Sequence, residues 1–222
     1  MTDGGQTKVP TAILISGRGS NMQAIVEAAR SEDYPARICA VVSNRPDAAG
    51  LDWARDNDIA TAVVDHSTFD SREAFEAELQ KVLVASGAEL VVLAGFLRIM
   101  TEGFVRLWDG RMINIHPSLL PAFKGLHTHE KALEAGVKIA GCTVHYVSPD
   151  LDSGAIIAQA AVPVLPDDTA ASLASRILVC EHKLYPTALR LVAAGEAPLV
   201  DGRVVLRAGN GEQAALLSLP PD

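Results

Sequence analysis

The chain has 222 residues, of which 49% are hydrophobic, and its formal net charge at pH 7 is -8. This length and apolar content predict a single α/β domain over residues 1–222. With 19 Lys and Arg against 27 Asp and Glu, nucleic acid is not expected as a partner, because proteins that bind it present a basic face. No segment has the length and apolarity of a membrane span, and three scattered cysteines without a CxxC pair indicate a reduced, cytoplasmic protein.

Short apolar runs alternate with helical patterns through the first half of the chain. Strands are predicted over 11–16, 37–43, 61–65, 89–94 and 111–115, with helices at 22–29, 47–57, 71–85 and 101–108. Ser71 is predicted to cap the third of these helices, because its hydroxyl can accept a free backbone N–H of the first turn. Alternation of this kind predicts right-handed crossovers and a doubly wound, mostly parallel sheet.

The pattern changes in the second half of the chain. Residues 139–147 and 155–164 alternate like antiparallel strands, so the predicted sheet has an antiparallel C-terminal portion. A long helix is predicted over 168–193, with a kink or break near Tyr185 because Pro186 follows. A terminal hairpin is predicted around Asp201-Gly202. Residues 1–10 and 210–222 are predicted to be flexible.

The sequence MINIHPSLLP at 112–121 is the most informative segment of the chain. Asn114 and His116 are spaced i and i+2, so on a strand they point to the same face, and Pro117 ends the strand. An amide beside an imidazole at a rigid strand end can donate hydrogen bonds to an oxygen that gains negative charge. The alternative is a strand-end histidine bonded to a backbone carbonyl.

A glycine-rich turn at residues 17–21 joins the first strand to the first helix. Ligands bind at this position in open parallel sheets, and helix N–H groups with Ser20 and Asn21 could hold a phosphate. Met22 stands where a dinucleotide fingerprint needs a third glycine, and no GxxxxGK[ST] motif is present, so neither NAD nor a P-loop nucleotide is expected. A glycine turn without a ligand explains these residues equally well.

Two further features carry weaker chemical signals. Asp152 lies in a loop, 150–154, where aspartates usually bond their own backbone; it could instead hold a cationic imidazole or position a water that accepts a proton. His127 and His129 lack HExxH spacing and a cysteine or acidic ligand at the usual distances, so no metal site is expected.

Three separated motifs, at 15–21 (ISGRGSN), 113–129 (INIHPSLLP to GLHTH) and 151–154 (LDSG), together resemble the phosphoribosylglycinamide formyltransferases. The resemblance extends from about residue 11 to residue 193. It implies a Rossmann-like formyltransferase fold. It also implies transfer of a formyl group from 10-formyltetrahydrofolate to the amine of phosphoribosylglycinamide in de novo purine biosynthesis, without a metal. The NIHPSLLP segment by itself marks a wider group of 10-formyltetrahydrofolate-using enzymes.

The resemblance also implies a role for particular positions. The implied catalytic residues are Asn114, His116 and Asp152. The implied substrate-binding residues are Gly19, Ser20, Asn21, Gly95, Pro117 and Glu181. The implied folate-binding residues are Arg72, Leu97, Arg98, Ile99, Asn114, Val147 and Asp150. Arg18 replaces an expected Asn, and Leu97 replaces an expected Met in the folate pocket.

Three other kinds of protein remain as alternatives. A formyltetrahydrofolate deformylase shares the three implied catalytic residues but usually has an N-terminal regulatory domain. A methionyl-tRNA formyltransferase is expected to carry a basic C-terminal domain, which this acidic chain does not offer. A non-catalytic folate- or nucleotide-binding protein would not need the three residues together. A homodimer could form through edge strands or the 101–108 helix, but the sequence does not decide this.

Overall fold

The computed structural model describes residues 7–206 of the chain. The strands are β1 Val9–Ile15, β2 Ala36–Ser43, β3 Thr61–Val63, β4 Leu90–Leu93, β5 Met112–His116, β6 Ile139–Tyr146, β7 Ile156–Pro163, β8 Leu199–Val200 and β9 Arg203–Val204. The α-helices are α1 Ser20–Ala29, α2 Ala49–Asp56, α3 Arg72–Ala85, α4 Glu102–Leu107, α5 Thr128–Glu134 and α6 Ala170–Ala193. The short helix α5 was not predicted, whereas Ser71 caps α3 as expected, with its side chain accepting the N–H of Ala74.

Seven strands form one sheet in the order β3-β2-β1-β4-β5-β6-β7. Strands β1 to β5 pair in parallel, and β6 and β7 are added in antiparallel pairing, which confirms the predicted fold class. The chain leaves β1 toward β2 and β3 and then returns to the other side of β1 as β4. The carboxyl ends of β1 and β4 therefore flank a topological switch point, which is where open α/β sheets bind ligands.

Helices cover both faces of the sheet because the parallel strands are apolar on both sides. Along β1, Ile13 and Ile15 face a core formed with α1, α2, α5 and α6, while Ala12 and Leu14 face a second core formed with α3 and α4. This alternation follows the two-residue period of a strand. The second core matters below because it lies beneath the segment that connects β4 to α4.

The prediction for the start of the chain needs correction. Strand β1 begins at Val9, whose N–H bonds the carbonyl of Pro35 at 2.7 Å, so Val9 and Pro10 do not belong to a flexible lead-in. Pro10 is tolerated there because it is near the start of the strand. The predicted flexible tail, 210–222, lies outside the described residues, whereas the predicted hairpin is present as β8 and β9.

The predicted break in the last helix is also wrong, because α6 continues through Pro186. Proline removes one helix hydrogen bond, but tertiary contacts hold the chain on both sides of it. The Tyr185 hydroxyl lies 3.0 Å from the Leu93 carbonyl and 3.1 Å from the Ile113 carbonyl, and the Tyr34 hydroxyl donates to the carbonyl of Pro186 at 2.6 Å. Within residues 7–206, no helix is long and apolar enough to cross a membrane.

Candidate active site

Three segments that contain predicted site residues meet at the carboxyl edge of the sheet. The glycine-rich turn follows β1, the segment 94–101 follows β4, and the two polar side chains of the MINIHPSLLP motif stand at the end of β5. Backbone bonds join the first two, because the N–H of Ser16 donates to the carbonyl of Gly95 at 3.1 Å. The crevice at the switch point is therefore lined by the segments that the sequence singled out.

Asn114 and His116 project from the same face of β5, as their spacing predicts. The imidazole of His116 is buried, and its Nε2 donates to the carbonyl of Phe123 at 3.0 Å. Its Nδ1 lies 3.4 Å from Oδ2 of Asp152. Since a carbonyl and a carboxylate are both acceptors, the two ring nitrogens face groups that suit the imidazolium form.

Asp152 lies close to His116 although 36 positions separate them in the chain. The side chains of His116 and Asp152 are only 7% and 9% exposed, and the same Asp152 oxygen accepts the N–H of Gly125 at 2.9 Å. Asp152 has a φ of 47°, in the left-handed region that Asp and Asn adopt more readily than most residues. The turn geometry that could have made Asp152 a local structural residue instead aims its carboxylate at His116.

His145 is a site residue that the sequence reasoning missed. It lies on β6 directly across from Asn114, and its Nε2 is 3.3 Å from Nδ2 of Asn114 and 4.0 Å from Oδ1 of Asp152. Its Nδ1 donates to the carbonyl of Tyr146 at 2.8 Å, and burial lowers the pKa of His145. A neutral ring with its proton on Nδ1 can accept from Asn114 and thereby orient the amide. Only the β5–β6 register, which the sequence does not reveal, could have identified it.

The glycine-rich turn has the backbone that a phosphate site needs. Gly19 caps α1 with a φ of 71°, and a Cβ at this position would lie 2.8 Å from Cε of Met22. Its carbonyl accepts the N–H of Gln23, while Ser20 and Asn21 open the helix. The free N–H groups and the positive end of the helix dipole favour an anion at this position.

The structure joins this turn to Glu181, 160 positions away. Nδ2 of Asn21 donates to Oε2 of Glu181 at 2.7 Å. Both side chains are buried, and burial raises the pKa of Glu181, an effect that the bond from Asn21 and the charge of His116 partly offset. Oδ1 of Asn21 is buried with no hydrogen-bond partner among the described residues. A buried unbonded acceptor beside a carboxylate is suited to a ligand that brings hydroxyl or N–H groups.

The remaining predicted substrate residues lie along the same edge. Gly95 follows β4 with a φ of 77°. Pro117 lines a cavity of about 190 Å³ that is mostly apolar and is bounded by α5, the start of β6, and α6 at Ile177. His129 also lines this cavity; burial lowers its pKa, and its Nε2 has no hydrogen-bond partner within residues 7–206.

The residues implied for the folate pocket are brought together only in part. Leu97 and Ile99 are 71% and 57% exposed on the segment between β4 and α4. Between them, Nε of Arg98 is buried without a hydrogen-bond partner in the part of the chain that the structure describes. Val147 bonds the carbonyl of Met112 through its N–H and packs on the second core.

Two more of these residues lie on other elements. Arg72 is the exposed first residue of α3, and Asp150 is exposed in the loop between β6 and β7. Among residues 7–206, no group of three or more His, Cys, Asp or Glu side chains could hold a metal ion. His127 was considered as a metal ligand from its sequence position. In the structure its Nδ1 lies 3.7 Å from Oε1 of Glu130.

Comparison with known proteins agrees with this geometry. A family model described as formyl transferase matches residues 9–189. The phosphoribosylglycinamide formyltransferase of Escherichia coli (strain K12) is 45% identical over 183 residues, which are 82% of this chain and 86% of that protein. The trifunctional purine biosynthetic protein adenosine-3 of Homo sapiens is 48% identical over 192 residues, and the chain spans 19% of its length.

Solved structures give the same result. The crystal structure of glycinamide ribonucleotide transformylase 1 from Symbiobacterium toebii has a TM-score of 0.87 and 46% sequence identity, covering 90% of this chain and 94% of that one. The structure of phosphoribosylglycinamide formyltransferase from Coxiella burnetii has a TM-score of 0.86 at 46% identity and the same coverage. The chain therefore belongs to the formyl transferase family, among the phosphoribosylglycinamide formyltransferases.

Proposed function

We propose that the chain transfers a formyl group from 10-formyltetrahydrofolate to the amine of phosphoribosylglycinamide, a step of de novo purine biosynthesis. The observation that carries the proposal is the convergence at one crevice of Asn114, His116 and Asp152 with the Asn21–Glu181 pair. Oxyanion donors alone would fit many acyl transfers. A helix N-terminus suited to phosphate and a buried carboxylate beside it fit an acceptor with a phosphate at one end and polar groups further along.

The reaction needs a site that stabilises an oxyanion and moves one proton. The amine attacks the formyl carbon directly, and the formyl oxygen becomes negatively charged. Asn114 and His116 donate hydrogen bonds to this oxygen, which lowers the barrier because both side chains are held at the rigid end of β5. Asp152 keeps His116 oriented and cationic, and a water that Asp152 holds carries the amine proton toward the leaving nitrogen. No covalent bond to the protein forms.

The hydrogen-bond inventory defines which donors are available. Nδ2 of Asn114 carries two hydrogens, and the contact with His145 uses only one of them. His116 now donates its Nε2 hydrogen to the carbonyl of Phe123, so bringing that hydrogen to the substrate requires an exchange of acceptor. We therefore expect the loop that carries Phe123, itself at a φ of 54°, to adjust when the amine substrate binds.

The residues on the folate side fit a flat, partly polar ring. The exposed Leu97 and Ile99 offer apolar surface, and the unbonded Nε of Arg98 offers a donor. Arg72 and Asp150 are proposed to contact more polar parts of the same co-substrate. We also propose that the protein acts in the cytoplasm on these two small molecules. The predicted homodimer stays a prediction.

An absorbance assay for loss of the formyl group from 10-formyltetrahydrofolate tests the proposal. Turnover that requires phosphoribosylglycinamide is the expected result. Equal turnover without the amine would make the protein a deformylase, and no turnover in either case would indicate a binding protein. A variant Asp167→Asn, which changes an exposed acid outside the three motifs, serves as the matched control for the substitution of Asp152.

A further inference from the structure

The segment 94–101, between β4 and α4, has no regular secondary structure over 96–101 but is bonded at both ends. At one end, the N–H of Leu97 donates to Oγ of Ser16 at 2.8 Å, and Ser16 in turn donates to Oδ1 of Asn44 at 2.6 Å. At the other end, the N–H of Thr101 donates to Oε1 of Glu76 at 2.7 Å, and the Thr101 hydroxyl donates to Oε2 of Glu76. Glu76 lies on α3, so a helix outside the crevice fixes one end of a segment inside it.

Glu76 is an unusual residue for its surroundings. Its side chain is on the buried face of α3, with 4% of the residue exposed, beside Phe75 and Leu79 of the second core. Within residues 7–206 it forms no salt bridge, and both of its oxygens bond Thr101. Burying a carboxylate costs free energy unless hydrogen bonds replace its hydration, and an apolar residue would avoid that cost. Stability of α3 therefore does not explain the presence of a carboxylate at this position.

The two tethers determine which side chains the segment presents. Phe96 and Met100 are buried in the second core, whereas Leu97 and Ile99 are exposed and Nε of Arg98 has no partner among the described residues. Because the buried and exposed positions are fixed between two bonded ends, the exposed surface is formed before a ligand arrives. Arg72 precedes Glu76 by four residues on α3, which places it on the same face of that helix.

We propose that Glu76 is a positioning residue that holds the segment 96–101 in the shape that binds the folate co-substrate. The inference rests on the proposed function. Glu76 does not touch the reacting atoms, so its loss lowers folate affinity and leaves phosphoribosylglycinamide binding at the glycine-rich turn and Glu181 unchanged. Glu76 acts through two hydrogen bonds rather than through its charge. A neutral amide of the same shape, which can form both bonds, should therefore replace it.

The test compares Glu76→Ala with Glu76→Gln. For Glu76→Ala we expect the KM for 10-formyltetrahydrofolate and the Kd for tetrahydrofolate to rise about 10-fold, because the two hydrogen bonds that hold one end of the segment are lost. The KM for phosphoribosylglycinamide should change by less than about twofold. Glu76→Gln should restore folate binding, since its Oε1 accepts from the Thr101 N–H and the Thr101 hydroxyl turns to accept from Nε2.

Three more variants keep the test decisive. Glu78→Ala removes a partly exposed acid from the same helix, where it pairs with Lys81 at 2.8 Å, and should leave both KM values unchanged. If Glu76→Ala does not fold, Thr101→Val removes the hydroxyl bond to Glu76, together with the cap that this hydroxyl forms on α4 by accepting the N–H of Phe104. It should raise the folate KM alone, and Thr101→Ser, which keeps the hydroxyl, should restore it. Calorimetric titration with tetrahydrofolate measures binding independently of turnover.

Several results would overturn the inference. Unchanged tetrahydrofolate binding in Glu76→Ala, an equal rise in both KM values, or a Glu76→Gln variant as weak as Glu76→Ala would each do so. A wild-type chain that does not bind tetrahydrofolate would overturn the proposed function together with the inference. A wild type that binds it, with no effect of Glu76→Ala, would overturn the inference alone.

Discussion

Replacing Asp152 by Asn isolates the charge of the carboxylate opposite His116. Asn has the same shape, tolerates the φ of 47° at this position, and keeps an oxygen that can accept the N–H of Gly125. The fold around the loop should therefore survive. What changes is that Nδ1 of His116, 3.4 Å from the carboxylate, no longer faces a negative charge.

The size of the effect follows from the distance between the two groups. At an effective dielectric constant of about 20, two unit charges 3.4 Å apart attract by roughly 5 kcal/mol. Desolvation of two nearly buried groups offsets part of this attraction, and a net loss of about 2–4 kcal/mol is reasonable. Since each 1.36 kcal/mol is about tenfold in rate, we expect kcat to fall by roughly 30- to 1,000-fold.

The formyl-loss assay measures this directly, with kcat and both KM values determined for wild type, Asp152→Asn and the control Asp167→Asn. Thermal unfolding of each variant establishes that the fold is retained. The loss of activity should appear in kcat rather than in the two KM values, because Asp152 acts through His116 on the charge that develops during the reaction. A folded Asp152→Asn variant with kcat within about threefold of wild type would refute the electrostatic role assigned to this pair.

Three further predictions follow from the same contacts. Asn114→Ala should lower kcat by about 10²- to 10³-fold, because one oxyanion donor is lost; near-normal turnover would contradict that role. Ser20→Ala should raise the KM for phosphoribosylglycinamide and leave kcat unchanged, and an unaltered KM would remove the turn from the site. The Arg176 hydrogen bond holds the pKa of Asp168 well below its usual range, so the folded state binds this proton less tightly than the unfolded chain. Its stabilisation is present above the unfolded pKa, about 3.9, and is lost as pH falls, so Arg176→Gln should flatten the decline of Tm between neutral and acid pH.

Local pattern was sufficient to predict most secondary structure and the first half of the site. The period of the apolar residues predicts the strands and helices, and the i, i+2 spacing places Asn114 and His116 on one face of β5, as found. Alternating strands and helices predict the parallel sheet because connections between such strands have one handedness. These properties depend on residues a few positions apart.

Properties that depend on distant contacts were missed or left open. Pro186 was expected to kink or break the last helix, but α6 is not broken there: Tyr34 bonds the Pro186 carbonyl, and Tyr185 bonds the Leu93 carbonyl. His145 carried no signal in its own sequence neighbourhood, because its role comes from the register of β6 against β5. From its local sequence, Asp152 was better explained by a turn, whereas the fold places its carboxylate against His116.

The sequence by itself therefore determined the elements, the parallel sheet and the residue types at the end of β5, since each follows from local periodicity and turn chemistry. Only the tertiary structure decided which distant polar groups meet: Asn21 with Glu181, Asp152 with His116, and Glu76 with Thr101. The physical reason is that a buried polar group takes whichever partner the packing of two cores leaves within hydrogen-bond distance, and that distance is a property of the folded chain.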